Sequence, residues 1–133
     1  LDALVDLATL TGACPYALGH FYSALLSQHP ELSSSVEEAA KRTGDKVWPL
    51  PMDNDFRAAI KSDVADISNT GSGKYLGGTV TAAFFLSNFV DDVPWAHLDI
   101  AGTAFNVPDI SYYRSGATGA GVRLLIDLAM QWQ

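Results

Sequence analysis

Apolar and polar positions along residues 3–11 follow the two-residue period of a buried strand. Val5, Leu7, Thr9 and Thr11 share one face, and Leu4, Ala8 and Leu10 the other. Gly12-Ala13 breaks the run. Residues 13–19 allow two readings, since Pro15 disfavours a central strand but is tolerated at the start of a short helix. A second short strand is expected over 21–27, with a break at His29-Pro30. Residues 31–42 carry the clearest amphipathic helix. Leu32, Val36, Ala39 and Ala40 fall on one stripe, Glu37 and Glu38 face Lys41 and Arg42, and Gly44 stops it. The prolines make 47–51 extended, and a short helix over 54–61 has Asp53 or Asn54 as its cap. A glycine-rich loop over 68–78 leads into a helix over 79–90. Phe84, Phe85, Leu86 and Phe89 leave that helix almost no polar face, so both its sides should be covered. Residues 95–101 read as a strand and 102–121 as a long loop. A closing helix over 122–132 has Leu124, Leu125, Leu128 and Met130 or Trp132 inward.

Strands alternating with helices imply an α/β layered architecture. Only 3–11 and 95–101 read as clear strands, a narrow sheet for a chain that is 48 % apolar. Further strands upstream, or cover from other subunits, are therefore expected. The chain also opens at Leu1 directly on an apolar run with no polar lead-in, as expected of a piece of a longer domain.

Composition narrows the function classes. The 133 residues fit one domain. Eight Lys and Arg, scattered among fifteen Asp and Glu, give a net charge of −7 and argue against a nucleic-acid partner. A single cysteine permits neither an internal disulfide nor a Cys-rich zinc site. No apolar run approaches the roughly 20 residues that span a bilayer, so no membrane partner is expected.

Several local patterns invite chemistry. Residues 69–75 hold Gly71, Gly73 and Lys74 but lack the spacing and the preceding strand of a phosphate loop, and Gly71-Ser72-Gly73 lacks that of a nucleophile elbow. His97 and Asp99 lie two apart on a strand and share a face. They read either as a metal pair or base with its carboxylate, or, preferably, as a hydrogen-bonded buried histidine between Trp95 and Asp99. Cys14 reads as an inert core thiol rather than a nucleophile. Residues 115–121 precede a helix where an anion can bind, although tight-turn chemistry explains the glycines better. Thr9-Leu10-Thr11-Gly12-Ala13 sits at the carboxyl end of a strand. Ligands of α/β sheets bind at such ends, and a carbonyl and a glycine amide there suit an extended peptide; a turn that needs glycine explains the same residues.

Taken as blocks, these residues resemble the leucyl aminopeptidase (M17) family. The blocks are Asp6-Leu7-Ala8-Thr9-Leu10-Thr11-Gly12-Ala13, then Thr43-Gly44-Asp45-Lys46-Val47-Trp48 with Leu50-Pro51, and Ala65-Asp66-Ile67 with Asn69. They continue with Gly77-Gly78-Thr79, Thr81-Ala82-Ala83 and Phe85-Leu86, then Trp95-Ala96-His97-Leu98-Asp99-Ile100-Ala101-Gly102, and finally Gly116-Ala117-Thr118-Gly119 with Gly121-Val122-Arg123. The resemblance runs in order over nearly the whole chain. It implies a mixed sheet between helices, an αβα sandwich. It also implies a cytoplasmic homohexamer whose two divalent ions, zinc or manganese, activate water to release N-terminal residues, often leucine, from a peptide substrate.

One departure stands out. The family's Asn-Thr-Asp-Ala-Glu-Gly-Arg motif and a preceding Lys/Asp segment supply the metal ligands and the catalytic arginine. Both precede the opening strand and occur nowhere in this chain, so no metal ligand and no catalytic residue is assigned. Residues 1–133 are expected to be the C-terminal portion of the catalytic domain, incomplete on its N-terminal side and inactive alone. The alternative is a non-catalytic scaffold or assembly module that has lost the metal centre. What the resemblance carries over is substrate binding. Leu10 offers a carbonyl and Gly12 an amide to the peptide backbone, and Thr11 lies in the same stretch. Thr9, Ala101 and Ala104 line the pocket for the N-terminal side chain. Ala104 stands where the family often has Met, which widens that pocket.

Overall fold

The computed structural model describes residues 1–132. Its sheet has four strands: β1 (Leu4–Ala8), β2 (Ser23–Ser27), β3 (Val47–Pro49) and β4 (Trp95–Asp99), in the order β1-β4-β2-β3. β4 runs parallel to β1 and antiparallel to β2, and β3 runs parallel to β2, so the sheet is mixed. β2 and β3 add to the two strands that the sequence makes plain. Ser23, Ala24, Leu25 and Leu26 of β2 are all buried, so no polar face betrays the strand. β3 is a three-residue edge, which is where Pro49 is tolerated.

Helices cover both faces, giving an αβα sandwich. On one side α2 (Pro30–Thr43) and α4 (Val122–Gln131) pack Leu32, Val36, Ala39, Leu124 and Leu128 against Leu25, Ala96 and Leu98. On the other, α1 (Ala13–Leu18), α3 (Gly78–Ser87) and a 3-10 helix (Asn54–Ile60) pack Cys14, Phe84 and Ile60 against Ala24, Leu26 and Trp95. The alternation along β2 and β4 feeds the two cores in turn.

Local chemistry sets the element ends. Pro30 opens α2 at a position where its missing N–H costs nothing, and Gly44 closes it in the left-handed region at φ 73°. Lys41 bonds Glu38, but Arg42 turns away from its own helix to grip Asp127 of α4. The 3-10 helix is capped by Asp53, whose side chain accepts from the Asp55 amide. α3 stops three residues early because the Asn88 side-chain amide donates to the Phe84 and Phe85 carbonyls. Phe89 is consequently 65 % exposed rather than covered. On α4, Leu124 and Leu128 face inward, whereas Met130 and Trp132 are exposed, against the expected inward placement.

Two glycines permit close approaches. Gly121 enters α4 at φ +86° against the Leu7 side chain. Gly102 lies where an added Cβ would sit 2.5 Å from the Gly19 carbonyl oxygen. Because that neighbour is backbone, Gly102→Ala must displace the α1–β2 turn. The expected cost is about 2–3 kcal/mol of stability, read as a lowered midpoint in urea unfolding.

Candidate functional site

β1 ends sooner than its alternation suggests, and the reason defines the site. The last ladder bond runs from the Ile100 amide to the Ala8 carbonyl, at 2.9 Å. Beyond it, the Leu10 amide turns to the Asp99 carboxylate instead of to a strand, at 3.3 Å. Asp99 closes β4 and is fully buried. Its Oδ1 also accepts from the Ala101 amide at 3.1 Å, and its Oδ2 accepts from the Thr11 hydroxyl at 2.6 Å. Thr11 in turn accepts from the Cys14 amide and lies 3.0 Å from the Thr79 hydroxyl at the start of α3.

Leu10, Thr11 and Ala101 therefore converge on one carboxylate, which sequence reasoning had weighed only as a partner for His97. Ala101 packs against the α1–α3 core. Ala104 is half-buried in the turn that follows, its amide donating to the Ile100 carbonyl and its carbonyl accepting from Thr118. Thr9 and Gly12 stand exposed at the rim, and Leu10 is 39 % exposed. Among the described residues, neither the Leu10 carbonyl nor the Gly12 amide enters a hydrogen bond. Gly12 has φ −67° and ψ −17°, and nothing lies within 4 Å of an added Cβ. The expectation that the turn itself needs glycine is thus corrected: any residue fits that backbone, and the open space faces outward.

His97 is buried and hydrogen-bonded, but its carboxylate partner is Asp6, its register mate on β1, rather than Asp99. The His97 Nδ1 lies 2.6 Å from Asp6 Oδ1, and the Trp95 indole donates to Asp6 Oδ2 at 2.6 Å. Among the described residues no group of three His, Cys, Asp or Glu side chains converges to hold a metal. The glycine turn before α4 is answered internally. Buried Asp45 accepts from the amides of Gly121 and Leu124, so the chain's own carboxylate occupies that helix N-terminus. Residues 69–75 form a loop, with Gly71 to Tyr75 exposed.

Cys14 is buried in α1, its Sγ donating to the Asp99 carbonyl at 3.5 Å. Burial, and then the charge of Asp99, push its thiol above the usual range. The group is therefore protonated and non-nucleophilic at pH 8. Thiol modification at that pH is expected to be at least about tenfold slower in the native than in the urea-unfolded chain, by release of thionitrobenzoate from Ellman's reagent.

Comparison with known proteins places this geometry. The model of the cytosol aminopeptidase family, catalytic domain, matches residues 1–126. The probable cytosol aminopeptidase of Aquifex aeolicus is 47 % identical over 132 residues, covering 98 % of this chain and 26 % of that protein. That of a Geobacter species is 50 % identical over 125 residues, covering 94 % and 25 %. The solved structure of a mutant tomato leucine aminopeptidase superposes with a TM-score of 0.88 at 40 % identity, covering 98 % of this chain and 25 % of that one. The chain thus spans about a quarter of the length of the relatives it matches.

Proposed function

The chain belongs to the cytosol aminopeptidase family, and from that membership we propose that it is the substrate-side, C-terminal portion of an aminopeptidase catalytic domain. The whole enzyme would release leucine-like residues from the N-termini of peptides, in the cytoplasm and as a homohexamer. One observation carries the reading. The Leu10 carbonyl and the Gly12 amide, an acceptor and a donor two residues apart, enter no hydrogen bond among the described residues and stand at an exposed strand end where the Leu10 and Ala101 amides are held by Asp99. A peptide backbone laid along that rim gives to the first and takes from the second, as strand-adding peptides do.

Thr9, Leu10, Thr11, Gly12, Ala101 and Ala104 form the binding surface in this proposal. Ala101 and Ala104 are small, and their methyl groups leave room for the N-terminal side chain. Two divalent ions, zinc or manganese, supply Lewis-acid chemistry in the whole enzyme, from ligands that lie outside this chain. The residues present here bind and orient the peptide, and none of them makes or breaks a bond.

The whole enzyme, including the sequence that precedes Leu1, is expected to hydrolyse leucine p-nitroanilide with two ions bound per chain. The 133 residues alone are expected to do neither. Turnover by the isolated chain would sink the division of labour, and an inert whole protein would favour the scaffold reading. Within an active enzyme, Ala104→Met should shift kcat/KM away from phenylalanine and toward leucine substrates by about tenfold, the worth of one to two methylenes of pocket space.

A further inference from the structure

We propose that Asp99 is a positioning residue for peptide recognition. Its buried carboxylate holds the chain on either side of the Leu10 carbonyl, at the Leu10 amide before it and at the Thr11 side chain from which the next two peptide planes swing, and ties both points to the wall of the side-chain pocket. The proposal rests on the aminopeptidase reading above.

The geometry is specific. The Leu10 carbonyl belongs to the plane joining Leu10 to Thr11, and the Gly12 amide to the plane joining Thr11 to Gly12. Both planes pivot at the Thr11 Cα. Asp99 takes the Leu10 amide, which belongs to the preceding plane that joins Thr9 to Leu10, and the Thr11 side chain at the pivot itself. The oxygen that takes the Leu10 amide also takes the Ala101 amide, so backbone recognition and pocket wall share one anchor.

Proton accounting gives the network a direction. The one hydroxyl proton of Thr11 goes to Asp99, so Thr11 accepts from the Cys14 amide and from Thr79, which must be the donor of their 3.0 Å contact. Three donors thus converge on a side chain that has only acceptors. Among the described residues no Lys, Arg or His forms an ion pair with it. An asparagine there keeps one acceptor oxygen for the two amides and turns an NH2 toward Thr11. Thr11 must then reverse its hydrogen bond. The isostere preserves the packing while loosening the pivot.

The test is made in the whole enzyme with Asp99→Asn and Thr79→Val, the latter removing the donor that holds Thr11 without touching the rim. Two substrates are compared: the tripeptide Leu-Gly-Gly and leucinamide, which has no peptide backbone beyond the scissile bond. Asp99→Asn is expected to lower kcat/KM for the tripeptide about tenfold more than for leucinamide, chiefly through KM, with bound metal unchanged. Thr79→Val should move the ratio the same way by less, and Thr79→Ser should restore it. Equal losses on both substrates, or no loss on either, would overturn the proposal. Should the unmutated enzyme cleave neither substrate, the functional reading fails by itself. Amide hydrogen exchange then decides the anchor, with exchange at Leu10 and Ala101 expected to be about tenfold faster in Asp99→Asn and unchanged exchange refuting it.

Discussion

A strand buried on both faces offers its polar side chains no water, and an unpaired group costs on the order of 1–3 kcal/mol; among the described residues the His97 Nε2 is the buried side-chain atom left without a partner. β4 is such a strand, buried from Trp95 to Asp99, and it carries both a histidine and a carboxylate. The solution is to spend them on β1. His97 and Trp95 reach across the sheet to Asp6 at the middle of β1, and Asp99 reaches to Leu10 and Thr11 just past its end. The parallel pairing of the two strands is thereby pinned at two levels beyond its ladder. A polar requirement of the core becomes the rigidity of a surface loop.

That coupling separates what was legible in the sequence from what was not. Strong periodicity and capping residues announced α2, the closing helix and the strands β1 and β4. Their bounds shifted by no more than a few residues, where a side chain intervened. Asp99 ended β1 by taking the Leu10 amide, and Asn88 ended α3 by taking two carbonyls. β2 and β3 were hard to read because the first shows no polar face and the second is three residues long. The family was legible as blocks of residue types, through the resemblance they carry, and the candidate site rests on that resemblance. Its organising carboxylate was not. Spacing along one strand joined Asp99 to His97, whereas the register of the neighbouring strand gives His97 to Asp6 and frees Asp99 for the loop. Pairing between strands is a tertiary fact that no local pattern encodes.

A second carboxylate obeys the same rule on the far side of the sheet. Buried Asp45 follows the Gly44 turn that ends α2 and receives the first amides of α4, while Arg42 from the end of α2 clamps Asp127. The turn after α2 and the entry to α4 are therefore one unit, and the positive φ of Gly121 lets that entry close over Leu7 of β1. Helix packing on this face and loop anchoring on the other both terminate on β1.

Gly12, like Gly73 in the exposed loop before α3, is a glycine that this scaffold does not itself require. Gly102 faces a backbone carbonyl and Gly121 needs a left-handed turn, so each is explained by its own surroundings. Gly12 has an ordinary right-handed conformation and empty space where a side chain would go. What a glycine supplies there is access: without a Cβ, another backbone can come within hydrogen-bond distance of its amide. On the proposed reading, an anchored pivot at Thr11, an unshielded amide beside it and a free carbonyl before it would make a surface already ordered before a peptide arrives. The ordering cost is then met in folding rather than in binding. The same logic accounts for the placement of such a rim beside the end of a fully buried strand, β4, rather than on a loop with no such neighbour. Only a core with polar groups to satisfy supplies acceptors that hold it still.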